Sequence, residues 1–158
     1  MYQLSFSIKG IPMSKQSAKH SYRNGHIHSY QPKEKVEGQA NIRAQIVQQL
    51  PEGFTPFDGL VMIEYVTFVF PFPKTFPKWK MKQIQTGVLI FSFKTTIPDL
   101  PDNLKKMPYD AMKGVVYIDD SLIAYEGSCK KVYGTSPGTY ITLTGYYAHE
   151  LEKPEGRC

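Results

Sequence analysis

The chain of 158 residues is long enough for one domain that buries a core of its own without disulfides or structural metals. A net charge of +5 and a pI near 9.1 favour polyanionic partners, and a 41% hydrophobic share excludes a largely disordered chain. Cys129 and Cys158 are too few for a secreted disulfide scaffold and too scattered for a zinc site, and no apolar run reaches the ~18 residues of a membrane span. With no signal-like leader in MYQLSFSIKGIP, a cytoplasmic protein outside the membrane is expected.

Tyr2 to Ile8 alternates large apolar and polar residues, which predicts a half-buried opening strand closed by Gly10 and Pro12. In SKQSAKHSYRNGHIHSY, the Asn24-Gly25 pair is the dipeptide of a two-residue hairpin turn. That turn sets Arg23 opposite His26, Ser21 opposite His28 and Lys19 opposite Tyr30, so Lys19, Arg23, His26 and His28 share one basic face. His26 and His28 lack the further ligands of a metal site, and a basic hairpin is the better reading.

Lys33 to Leu50 predicts an amphipathic helix with Val36, Ala40, Ala44, Val47 and Leu50 as its apolar stripe. Leu60 to Phe70 is bulky on both faces apart from Glu64 and Thr67 and belongs at the centre of a sheet. A basic loop or lid with a short helix after Pro77 follows, in which Trp79 stands among Lys74, Lys78, Lys80 and Lys82, placed to stack on a base or to anchor the loop. Leu89 to Lys94 is a further strand. Leu122 to Tyr133 and Thr139 to Tyr147 are expected to form a final antiparallel pair joined across Gly134 to Gly138. A polar tail covers 149–158.

The segment TTIPDLPDNLKKMPYDAMKGVVYIDDS concentrates Asp99, Asp102, Asp110, Asp119 and Asp120 in a basic protein. Asp102 suits the N-cap of a helix over Asn103 to Lys113 that Gly114 stops. A short strand from Val115 to Ile118 then leads to Asp119 and Asp120, so three chain crossings converge on one sheet edge. Carboxylates so placed, with a substrate phosphate, suffice for a magnesium ion, and paired metals are a general arrangement for phosphodiester hydrolysis. Lys106, one turn after Asp102, is placed to pair with it or to reach the phosphate. The plain alternative is a capping Asp102, a solvated Asp110 and a turn at Asp119-Asp120.

These elements resemble the RusA-type Holliday junction resolvases. The family reads proline-aspartate-x-aspartate-asparagine-leucine-x-x-lysine, then an aspartate in the helix and a later double aspartate. Here Pro98, Asp99, Asp102, Asn103, Leu104, Lys106 or its neighbour Lys105, Asp110, Asp119 and Asp120 stand in that order. Gly10, Pro12 and Lys15 look like its early glycine-x-proline and basic segment, and Lys131-Val132-Tyr133-Gly134 is similar to its late lysine-tyrosine stretch. The likeness spans nearly the whole chain.

The resemblance implies an α+β fold, a single RusA-like domain over 1–148 with a mixed sheet and two main helices. It implies a homodimeric, magnesium-dependent endonuclease, with manganese as a substitute metal, that nicks opposed strands of a four-way DNA junction in recombination and repair. Asp99, Asp102 and Asp120 would hold metal, with Asp119 as the alternative ligand, and Lys106 would act in cleavage. Lys15, Lys19, Arg23 and Lys131 are the expected phosphate contacts. Resolvases of this family are often carried by prophages in bacterial cells. Two rival readings are a non-catalytic binder of structured nucleic acid and a metal-dependent nuclease acting on flaps or single strands.

The pattern departs from the family's at two places. Leu100 and Pro101 separate Asp99 from Asp102 where the family has one residue, so the loop must bulge for both to face one metal. Pro108 falls inside the expected helix and predicts a kink near Leu104.

Overall fold

The computed structural model describes residues 1–15, 19–89 and 92–152. In chain order the elements are β1 (Tyr2–Lys9), β2 (Lys19–Arg23), β3 (His26–Tyr30), α1 (Lys33–Gln49), β4 (Val61–Phe70), α2 (Lys78–Gln85) and β5 (Ser92–Phe93). A π-helical turn (Leu100–Leu104) leads into α3 (Lys106–Met112), and a 3-10 turn (Asp120–Leu122) into β6 (Ile123–Tyr133), β7 (Gly138–Gly145) and α4 (Ala148–Leu151). The fold is α+β, as expected. A five-stranded mixed sheet runs in the order β1-β7-β4-β6-β5, and β2-β3 forms a separate hairpin.

Strand β4 takes the centre, pairing parallel with β6 and antiparallel with β7, and buries Val61, Ile63, Val66, Phe68 and Phe70 in the core. This corrects the expected β6-β7 pair: those strands do run in opposite directions, but β4 lies between them. The core fills one face of the sheet, where Phe6, Ile63, Phe68 and Leu143 meet Ile46 of α1 and Met112 of α3. Among the described residues no helix is long and apolar enough to cross a membrane.

Helix α1 forms as expected but buries another stripe. Ile46 is fully buried and Ile42 partly, whereas Val36 and Val47 are 54% and 49% exposed. The cause lies in β1, whose outer edge has no strand partner among the described residues. Gln49 accepts from the Ser7 N–H at 2.9 Å and donates to the Ser7 carbonyl at 3.0 Å, and Gln45 does the same at Lys9 at 2.8 and 3.1 Å. Two side-chain amides thus complete the backbone pairing that an exposed edge would lack. Turning the glutamines to that edge rotates Val36, Ala40, Ala44 and Val47 outward.

The hairpin has the expected register, with Lys19↔Tyr30, Ser21↔His28 and Arg23↔His26. Asn24 and Gly25 take φ of 51° and 79°, the left-handed pair such a turn requires. Every side chain of both strands is exposed, so the hairpin stands clear of the core.

Residues 149–152, at the start of the expected tail, belong in part to α4, and the rest of that tail lies outside the described residues. So do Ile90 and Phe91 of the strand expected before the acidic segment, of which β5 is the described part.

Candidate active site

The extra residue before Asp102 is absorbed by the π-helical turn. Its wider ring is closed by the Leu104 N–H donating to the Asp99 carbonyl at 3.1 Å. The α-helix resumes only at Lys106, and the Tyr109 N–H then donates to the Lys105 carbonyl at 3.2 Å. Pro108 has no N–H to offer the Leu104 carbonyl, which accounts for the break at the expected kink. Asp102 is therefore not the N-cap: it sits within the π turn, whose N-cap position is Asp99, without a side-chain cap bond.

This geometry separates the two aspartates. Asp102 lines a cleft of about 390 Å³ with Lys105, Lys106, Tyr109, Asp110 and Asp120. Asp99 instead lines a neighbouring groove of about 620 Å³, beside Pro98, Asn103 and Pro12. The expected strand from Val115 to Ile118 is reduced to isolated bridges of Tyr117 to Phe57 and Lys113. Tyr117 itself is fully buried, and its hydroxyl donates to the Tyr109 carbonyl at 2.8 Å. Burial, with Asp120 and Asp110 nearby, pushes its phenol well above the usual range.

Asp119 caps the 3-10 turn by accepting from the Ser121 N–H at 3.0 Å. The Lys113 ammonium lies 2.7 Å from Asp119 and 3.0 Å from Asp120. Its hydrogen bond holds the Asp119 carboxyl well below the usual carboxylate range, helped by the Ser121 backbone. The same two carboxylates, Asp119 first, raise the Lys113 ammonium above the ordinary lysine value.

The two adjacent lysines behave differently. Lys105 lies 2.9 Å from Glu126 of β6, whose other oxygen accepts from the Tyr109 hydroxyl at 2.8 Å. Burial pushes the Glu126 carboxyl up, but the bonds from Lys105 and Tyr109 outweigh it and the group titrates below its usual range. Tyr109 is shifted far upward by burial and by Glu126. Lys106, which among the described residues has no ion pair, stays available in the cleft. Glu126 escaped the sequence reading because it lies in a strand just past the acidic segment, and only the fold, with Glu126 paired opposite Ile63, brings it to Lys105 and Tyr109.

Of the expected phosphate contacts, Lys19 and Arg23 stand on the exposed hairpin. The Lys15 ammonium is held at 2.5 Å by Asp110 and at 3.0 Å by Gln39, and its backbone N–H donates to the Asn103 carbonyl at 2.9 Å. Lys131 donates to the carbonyls of Thr96 and Pro98 at 2.6 and 2.7 Å, gripping the chain just before Asp99. Asp110 is thus an ion-paired residue at the cleft wall.

Among the described residues no three His, Cys, Asp or Glu side chains close around a point that a metal ion would occupy. The oxygen donors of Asp102 and Asp120 at one cleft fit a hard cation that keeps much of its water and completes its shell from a substrate phosphate. They do not form an all-protein cage.

No curated protein sequence matches the chain significantly. The model of the family described as Endodeoxyribonuclease RusA matches residues 9–144, which contain the cleft, both lysines, Glu126 and the hairpin. The chain therefore belongs to the RusA family of endodeoxyribonucleases.

Proposed function

We propose that the protein resolves four-way DNA junctions as a homodimer, each protomer nicking one of two opposed strands with magnesium, or manganese in its place. The observation that carries this reading is the convergence of Asp102, Asp120 and Lys106 on one cleft within a family of endodeoxyribonucleases. Asp102 and Asp120 would hold the metal, with Asp99 or Asp119 as the alternative further ligand. When bound, the metal would supply charge neutralisation at the phosphate and lower the pKa of its bound water.

The chain's own residues do the rest. Lys106 offers an ammonium to the developing charge on the scissile phosphate. Glu126 engages Lys105 and Tyr109, which fixes the start of α3 and leaves Lys106 as the lysine that faces substrate. Lys15 and Lys131 brace the acidic turn from the Asn103 and Pro98 sides, and Lys19 and Arg23 take phosphate contacts on the hairpin. A twofold dimer suits a junction of approximate twofold symmetry, since it presents two equivalent clefts.

A second reading, a junction binder that does not cut, draws on the placement of Asp99 in the neighbouring groove. Incubation of labelled four-way junction, matched linear duplex and flap DNA with magnesium separates the readings. The proposal expects paired symmetric nicks in the junction alone. Tight binding without cutting under any divalent metal favours the binder, and equal cutting of flaps favours a nuclease of broader specificity.

A further inference from the structure

The protein's positive charge is unevenly placed. Between Glu64 and Asp99 the sequence carries Lys74, Lys78, Lys80, Lys82 and Lys94 and no arginine or acidic residue. Those five charges equal the formal net charge of +5, so the remainder of the chain is balanced. Most of them stand on or beside α2, which buries none of its residues.

Helix α2 is nonetheless anchored. Phe76 packs against Phe72 at 4.9 Å and Tyr133 at 5.4 Å between ring centroids, and Ile84 lines a small cavity with Val69 and Val132. Lys80 lies over the Phe76 ring at 5.8 Å, and Lys94 is engaged by Phe70 and Tyr133. That leaves Lys74, Lys78 and Lys82 exposed and, among the described residues, without an acidic partner. Lys78 and Lys82, four residues apart, share one helix face with Trp79, which is 64% exposed.

Strand β6 sets the spacing. Ile123 at its start lines the catalytic cleft, and Tyr133 at its end packs at the base of α2. Through β4, Ile123 lies level with Gly145 and Val132 with Gly138, so bulges shorten β6 and at a rise of about 3.3 Å its ends are roughly 26 Å apart, inside the ~34 Å of one turn of B-form duplex.

We propose that Lys74, Lys78 and Lys82 form an outer phosphate-binding site for a duplex arm, within one helical turn of the scissile phosphate. This rests on the junction-cutting reading and adds to it a minimum arm length. The ligand is the sugar-phosphate backbone, because ammonium groups without a hydrogen-bonding frame give charge contact and no base readout.

The test uses the intact protein and two synthetic junctions, with arms of about 6 and about 15 base pairs, either side of one turn. Trp79 is the chain's single tryptophan, so intrinsic fluorescence reports arrival of DNA at α2. The proposal expects a fluorescence change with long arms only, and tighter binding of long arms by wild type. The triple variant Lys74→Ala, Lys78→Ala, Lys82→Ala should lose that preference, and the Lys→Arg triple should keep it.

Between 50 and 200 mM salt the long-arm affinity of wild type should fall about 40-fold more than that of the alanine triple, from three neutralised phosphates. Normal cutting with no arm-length preference, no fluorescence change and equal salt slopes would overturn the outer site and leave the junction reading standing. Failure to bind any junction would overturn both.

Discussion

Glu126 lies 2.9 Å from Lys105, and this one ion pair distinguishes two neighbouring lysines. Lys106→Ala should lower the single-turnover cleavage rate about 10²- to 10³-fold at saturating DNA, the size seen when one charge-stabilising donor is removed. Lys105→Ala should act chiefly on stability. A larger catalytic loss in Lys105→Ala would reverse the two assignments.

The grip of Lys131 on Thr96 and Pro98 predicts a positioning role. Lys131→Met leaves two carbonyls without their donor, each loss being worth about 1 kcal/mol. Cutting should fall while the salt slope of junction binding stays as in wild type. A slope shallower by about one would place Lys131 on a DNA phosphate instead.

Glu126 also sets a pH dependence. Its folded value lies below the ordinary 4.5, so its contribution to stability is present above that value and is lost as pH falls through the folded one. The melting-temperature gap between wild type and Glu126→Gln should therefore be widest above about pH 5 and should close on further acidification. A gap that widens toward low pH contradicts the ion-paired carboxylate.

Gln45 and Gln49 complete the outer edge of β1, and this predicts that their joint replacement by alanine costs about 2 kcal/mol, from the pairing lost to that edge. Thermal melting reads the effect directly. An unchanged midpoint would mean that water replaces both amides without loss.

Local signals were the legible part of this chain. Asn24-Gly25 determined a turn and with it a register, and the doubly apolar run to Phe70 identified the central strand. The stripe on α1 was not legible, because hydrophobicity alone cannot show that two glutamines will be drawn to an unpaired strand edge. Nor was the order of β6 and β7, since adjacency in sequence favours a hairpin and only the folded sheet shows β4 inserted between them.

At the site, Asp102, Asp120 and Lys106 were named from the family resemblance together with their spacing, and they line one cleft. Pro108 foretold the break near Leu104. That the break would take the form of a π turn, sending Asp99 to the neighbouring groove, depends on backbone hydrogen bonding that residue spacing does not encode. Lys15 and Lys131 read as phosphate contacts because a lysine's internal partners, here Asp110 and two carbonyls, lie far away in sequence.

As proposed, Asp102 and Asp120 hold the metal for cleavage of a four-way junction. The most direct measurement is single-turnover cleavage of a labelled junction by wild type, Asp102→Asn and Asp120→Asn, each with magnesium and with chelator, alongside junction affinity. Wild type should give paired nicks with magnesium only, and neither variant should cut while affinity is retained, since the basic surface is untouched. Cutting by both variants at the wild-type rate, or cutting by wild type in chelator, would contradict that assignment.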